Sequence, residues 1–123
     1  MKLKYLDAEI KKRQEIAVRY INEIGNGKIT LPVYRGGKDH VFHLFVVQCE
    51  RRDKLQSHMH SQGIETLIHY PIPPHRQLAY KNLSSLSLPI TERLHDQVLS
   101  IPISPCMTDH DVSSVVQATN TFE

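Results

Sequence analysis

Three prolines, Pro71, Pro73 and Pro74, fall inside the stretch His69-Tyr70-Pro71-Ile72-Pro73-Pro74-His75-Arg76-Gln77-Leu78-Ala79-Tyr80, and they restrict the fold more than any other feature of the chain. Each fixes φ at about −65° and pushes the preceding residue toward extended conformations. The segment is therefore excluded from helix interiors and central strands, and a rigid, extended loop is expected. Four of its side chains, His69, His75, Arg76 and Tyr80, donate hydrogen bonds or carry positive charge. A stiff loop presenting imidazole, guanidinium and phenol groups suits an anionic ligand, because little conformational freedom is left to lose on binding. The plainer reading is a connector whose polar groups face water, and the surrounding pattern has to decide between the two.

A chain of 123 residues accommodates one domain with a real core. Its 40% hydrophobic and 23% charged content is that of an ordered globular protein. The net charge of +2 is small and its basic residues are scattered. The longest basic run, Lys11-Lys12-Arg13, points three ways on a helix, so no nucleic-acid partner is expected. No apolar stretch approaches the roughly 18 residues of a membrane span, and the polar N-terminus lacks a signal-peptide block, so no membrane partner is expected either. Cys49 and Cys106 stand far apart without zinc-type spacing. They read as reduced thiols of a cytoplasmic protein, with a disulfide between them left open.

Periodicity supplies the elements. Leu3, Leu6, Ile10, Ala17, Tyr20, Ile21 and Ile24 form one face of a helix over residues 3–24, about 30 Å long and stopped at Gly25-Asn26-Gly27. Ile16 and Val18 lie off this stripe, which leaves a second apolar edge for a partner. Residues 28–34 read as an edge strand broken by Pro32. Residues 41–49 are the clearest strand, covered on both faces, with His43 beside Val41, Phe45 and Val47. Residues 51–62 form a helix with Leu55 and Met59 stacked and Gly63 as its left-handed stop. A second strand, 64–68, then leads into the His69 loop. Strand, helix and strand make a crossover that sets the loop at a strand's carboxyl end, the edge where α/β architectures bind ligands. A helix over 89–98 buries Ile90, Leu94 and Val98. A brief strand at 99–103 follows, then a last helix opened by the capping pattern Thr108-x-x-Asp111, with Val112, Val115, Val116, Thr119 and Phe122 inward. The expected fold is α/β, an α+β two-layer sandwich with a short sheet and helices on one face.

Other chemistries find little support. Among the eight histidines, His58 and His60 are the densest pair, yet residues two apart on a helix point about 200° from each other and cannot share an ion. No metal site is expected, which counts against a small metal-dependent hydrolase. There is no GxSxG elbow, and Cys49 reads as a buried structural thiol. Gly25-x-Gly27 and Gly36-Gly37 lack the spacing of phosphate-cradling loops.

Read together, several stretches resemble one family. Leu3 to Asp7, with Arg13 to Tyr20, resembles the interdomain helix of the DegT/DnrJ/StrS aminotransferases, enzymes that use pyridoxal phosphate to aminate keto-sugars carried on nucleotides. His43-Leu44-Phe45-Val46-Val47, Arg52-Asp53-Lys54-Leu55 and Gly63-Ile64 resemble the strand, helix and strand that follow. His69-Tyr70-Pro71-Ile72-Pro73-Pro74-His75-x-Gln77 resembles the family's HYPxPLHxQ loop. Leu99-Ser100-Ile101-Pro102 with Pro105-x-Met107-Thr108 resembles its LSLPxxPxMT ending.

The resemblance implies the small C-terminal domain of a fold-type I aminotransferase, spanning 1–123 as a single domain. Residues 1–24 would be the interdomain-type helix and 28–123 the domain itself. It also implies that the N-terminal domain with the cofactor-binding lysine is absent, since none of the eight lysines lies in the family's lysine motif. Pyridoxal phosphate is then the cofactor of the full-length enzyme and none is expected for this chain alone, which would be inactive, with no catalytic residue of its own. The partners implied are a nucleotide-diphosphate sugar, the missing N-terminal domain and a second subunit in a homodimer, with glutamate as amino donor. On the substrate side the family's loop carries over to His69, Tyr70 and His75, and a family histidine position to His43, which reads equally as a satisfied core residue. Arg76 and Tyr80 are added on chemistry alone, because charge-assisted bonds suit a diphosphate. Pro74 stands where the family more often has leucine. The alternative is a free-standing, non-catalytic binding or dimerisation module derived from this family.

Overall fold

In the computed structural model, which describes residues 2–37 and 39–123, a two-stranded antiparallel sheet carries a layer of helices. Helix α1 spans Leu6–Glu23, preceded by a 3-10 turn at Lys2–Tyr5. Strand β1 is Phe45–Gln48, helix α2 is Arg52–Ser61 and helix α3 is Pro89–Gln97. Strand β2 is Val98–Ile101 and helix α4 is Asp109–Asn120. In the sheet Phe45 lies opposite Ile101 and Val47 opposite Leu99. These four side chains share one face and are buried under the helices. On the other face Val46 faces Ser100 and Gln48 faces Val98.

The flanking segments extend the sheet by single bridges, Thr30 to Gln48 and Leu67 to Ser100, both antiparallel. The expected edge strand at 28–34 and the strand at 64–68 are thus each reduced to one paired residue. Pro32 removes a donor from the first, and the prolines after Tyr70 end the second. Leu67 runs antiparallel to β2, which runs antiparallel to β1. The chain after α2 therefore returns parallel to β1 with β2 inserted between them. This places the loop that starts at His69 at the end of the 64–68 segment, where the crossover reading put it.

The core joins Ile16, Ala17 and Tyr20 of α1 to Phe42, Phe45 and Val47, to Leu55 and Met59 of α2, and to Val112, Val115 and Val116 of α4. Tyr20 packs edge-on against Phe45, 5.1 Å between ring centres, and donates its hydroxyl to the Pro102 carbonyl at 2.8 Å. Burial pushes that phenol well above its ordinary pKa. Ile16, placed off the main stripe on periodicity, is a core residue, whereas Leu3 and Leu6 at the start of the stripe are exposed. The buried residues of the helix, Ile16, Ala17 and Tyr20, all lie in its C-terminal half. Its stop falls where expected, by different means. Gly25 and Gly27 are not left-handed. Instead Asn120 of α4 accepts from the Gly25 N–H at 2.8 Å and donates to the Glu23 carbonyl at 2.9 Å.

The strand expected over 41–49 forms only from Phe45, because Phe42 takes φ 48°. This left-handed residue breaks the alternation and turns its ring inward, stacked on Phe45 and edge-on to Tyr34. His43 is consequently exposed rather than a core histidine. Gly63, with φ 75°, closes α2 as the sequence indicates. At α4 both halves of the capping box form: Thr108 Oγ1 accepts from the Asp111 N–H at 3.2 Å, and Asp111 accepts from the Thr108 N–H at 2.8 Å. The bonds from Thr108 hold the Asp111 carboxyl below its usual range.

Candidate functional site

The proline-rich segment leaves the sheet at Leu67, bends at His69 and again at Pro71 and Ile72, and then winds into two 3-10 helices, Pro74–Arg76 and Leu78–Leu83. The loop is therefore less extended than its prolines indicate. Pro74 opens the first turn, a position where a missing N–H costs nothing.

Two elements hold this loop. The first is β2, through Ser100. That residue exchanges both backbone bonds with Leu67 (2.8 and 3.1 Å), and its hydroxyl lies 2.9 Å from Nδ1 of His69. The second is α3. Glu92 and His95 lie three residues apart, hence on one face of the helix. His95 Nδ1 donates to the Tyr70 carbonyl at 2.6 Å. Glu92 Oε1 collects three donors: Nε2 of His75 at 3.0 Å, Nη2 of Arg76 at 3.1 Å and the N–H of Leu88 at 3.0 Å. The Leu88 N–H bond first, then those from His75 and Arg76, hold the Glu92 carboxyl down at about 2. The far end of α3 is fixed by Arg52 of α2, which donates to the carbonyls of His95 and Val98 at 3.2 and 3.4 Å.

The polar face of α3 is thus committed to the loop. Its apolar face, expected in the core, is largely outside: Ile90 is 65% and Leu94 36% exposed. The helix has no fully buried residue.

The structure brings His75 and Arg76 together on one carboxylate oxygen and sets His69 edge-on against Tyr70, 5.5 Å between ring centres. His43 and Tyr80 take no part in these bonds; both are exposed. His75 is 3% exposed, and its Nδ1 is the one buried side-chain polar atom left without a partner among the described residues. Tyr70, at 65% exposure, and the half-exposed Arg76 present donors outward. Glu92, Ser100 and His95 escape a reading based on the loop alone. Two of them leave a trace: Ser100 is the polar residue in the apolar run Val98–Ile101, and Glu92 is an acid in the first turn of a helix opened by proline.

Elsewhere, a shallow groove of about 650 Å³ runs between Lys28, Gln48, Arg51 and Arg93. Arg51 is already spent there, over the Phe122 ring and on the Glu123 carbonyl. The groove's lining includes the buried Cys49 but no residue of the loop, and it gathers none of the hydrogen bonds that fix the loop. Among the described residues no group of three or more His, Cys, Asp or Glu could hold a metal ion, and no helix is long and apolar enough to cross a membrane. Cys49 is buried, Cys106 exposed, and both are free.

Comparison with known proteins agrees with this architecture. The chain is 47% identical over 122 residues to a dTDP-3-amino-3,6-dideoxy-alpha-D-galactopyranose transaminase of Aneurinibacillus thermoaerophilus, covering 99% of this chain and 34% of that protein. It is 40% identical over 121 residues to a dTDP-3-amino-3,4,6-trideoxy-alpha-D-glucose transaminase of Streptomyces venezuelae, covering 96% of this chain and 32% of that one. Among solved structures, S. venezuelae DesV superposes with a TM-score of 0.90 at 39% identity, over 97% of this chain and 33% of its own. Bacillus subtilis NtdA, with bound cofactor PMP, gives a TM-score of 0.81 at 32% identity, over 94% and 28%. The chain therefore spans about a third of the length of the relatives it matches. Residues 1–120 match the DegT/DnrJ/EryC1/StrS aminotransferase family, and the chain belongs to that family.

Proposed function

We propose that this chain is the substrate-side, C-terminal part of a pyridoxal-phosphate-dependent aminotransferase that aminates a 3- or 4-keto sugar carried on a nucleotide diphosphate, with glutamate as donor. The reading includes the use of the product in surface-polysaccharide or deoxyaminosugar synthesis, a cytoplasmic location and a homodimeric full-length enzyme. The observation that carries it is the loop from His69 to Tyr80, stiffened by prolines and fastened to β2 and α3, on a chain that matches sugar-nucleotide transaminases over nearly its whole length.

The donors on the loop fit a polyanionic, hydroxyl-rich ligand. Tyr70, Arg76 and Tyr80 point outward and can donate to diphosphate or sugar oxygens, with Arg76 the strongest because its bonds are charge-assisted. His69 and His75 shape the loop from beneath, and His43 stands exposed at the approach to β1. His69, His75 and Arg76 are already held by hydrogen bonds, so they spend little entropy on ordering when ligand arrives.

The same residues do not fit attachment of the cofactor. No lysine lies between His69 and Tyr80, and Lys81 beyond them is exposed on the second 3-10 turn. Pyridoxal phosphate, when bound in such enzymes, supplies the electron sink for moving an amino group. In this reading the lysine that carries it lies outside the chain. The test is a titration of residues 1–123 with pyridoxal phosphate followed by borohydride. The expected result is scattered, substoichiometric labelling of the lysines. A single lysine trapped at one equivalent would show a self-sufficient cofactor protein and overturn the assignment.

A further inference from the structure

The bonds at the start of α3 give Glu92 a role that the loop's own residues do not reveal. A ring nitrogen 3.0 Å from a carboxylate oxygen must carry the proton, since two acceptors would repel. Nε2 of His75 is therefore the donor. Nε of Arg76, 3.4 Å away and itself always a donor, is a neighbour rather than a partner. Nδ1 of the same ring is buried with nothing to bond. The ring is thus held on one side only, by Glu92. The same oxygen holds Arg76 and, through the Leu88 N–H, is itself locked to the start of the helix. Backbone bonds close the turn around these residues, Arg76 N–H to the Pro73 carbonyl at 2.9 Å and Gln77 N–H to the Pro74 carbonyl at 3.2 Å, but none ties the turn to α3.

We propose that Glu92 is a positioning residue: it fixes the Nε2–H tautomer of His75 and the direction of the Arg76 guanidinium, and thereby sets the ligand-facing shape of the loop. This rests on the reading of the loop as the substrate side. A carboxylate suits the task because it accepts several hydrogen bonds at once and cannot itself donate when ionised. Removing it takes away the acceptor that keeps the proton on Nε2, leaves Arg76 Nε at 3.4 Å as the imidazole's one remaining polar neighbour and releases the Arg76 guanidinium from its carboxylate.

The test uses the 123-residue chain uniformly labelled with nitrogen-15. Imidazole proton–nitrogen spectra report the His75 tautomer, and amide exchange reports the loop. In the parent chain His75 shows a protonated Nε2 and a bare Nδ1. In Glu92→Ala this single pattern is lost and amides from Arg76 to Leu83 exchange about tenfold faster or more, while those of β1 and α4 keep their rates. Glu92→Gln, which keeps an acceptor oxygen, restores most of the pattern. An unchanged His75 spectrum in Glu92→Ala overturns the proposal, and so does exchange that accelerates equally in β1 and α4, which would mark a merely structural residue. Thymidine diphosphate as probe separates this from the underlying reading. If it shifts Tyr70 and Arg76 in the parent and binds at least about fivefold more weakly to Glu92→Ala, both stand. If it shifts nothing in the parent, the ligand reading of the loop fails, and the tautomer data alone decide whether Glu92 holds His75.

Discussion

At the scale of single residues, Glu92 takes three donors, from His75, Arg76 and the Leu88 N–H, on one carboxylate oxygen. Its carboxyl is drawn from the ordinary 4.5 down to about 2 by the Leu88 N–H, His75 and Arg76. A carboxylate whose folded pKa is depressed stabilises the fold fully above its unfolded pKa, and that contribution disappears as pH falls through the folded value. Stability should therefore decline between about pH 4.5 and 2 more steeply in the parent than in Glu92→Gln. Urea midpoints measured across that window check this. Asp111 and Glu23 are also held low, by Thr108 and by Arg19, but titrate identically in both proteins and cancel in the difference. An equal slope in the two proteins would mean that the donors around Glu92 do not favour its charged form.

At the scale of elements, α2 and α4 behave as their sequences say, and α3 does not. Leu55 is fully buried where α2 meets the core, so Leu55→Ala should cost about 2–5 kcal/mol. Thr108→Ala removes one half of the α4 capping box on an exposed helix end and should cost about 1 kcal/mol. Urea denaturation of the two variants checks the order as well as the sizes. These sites were legible because periodicity and capping are local, so Leu55, Met59, Val112 and Thr119 fall inward as read. What was not legible is what neighbours decide. Phe42, turned inward by one left-handed residue, displaced His43 from the core. Asn120, ninety-five residues from Gly25, stops α1 in place of a left-handed glycine. The apolar spacing of Ile90 and Leu94 identified a helix correctly but not its orientation, since Glu92 and His95 bind the loop and turn that stripe outward. Motif and chemistry offered the loop residues as candidates, whereas the carboxylate that holds His75 and Arg76 was visible only in three dimensions.

At the scale of the whole molecule, apolar surface stays open at Leu3 and Leu6 on α1 and at Ile90 and Leu94 on α3. In the proposed reading, such surface is what another part of a longer polypeptide covers. Residues 1–123 alone should therefore self-associate with rising concentration, and Leu6→Ser with Ile90→Ser should reduce this. Sedimentation equilibrium checks it, and a strictly monomeric parent chain would favour an independent module. The central claim, that this chain supplies the substrate side of a sugar-nucleotide aminotransferase, is tested most directly by exchange. Residues 1–123 are grafted in place of the corresponding third of the Aneurinibacillus thermoaerophilus transaminase, and kcat and KM are measured for that enzyme's own reaction. The account predicts a cofactor-loaded chimera with kcat/KM within about tenfold of the parent, in which Arg76→Ala raises KM more than it lowers kcat. A folded, cofactor-loaded chimera without turnover would contradict it.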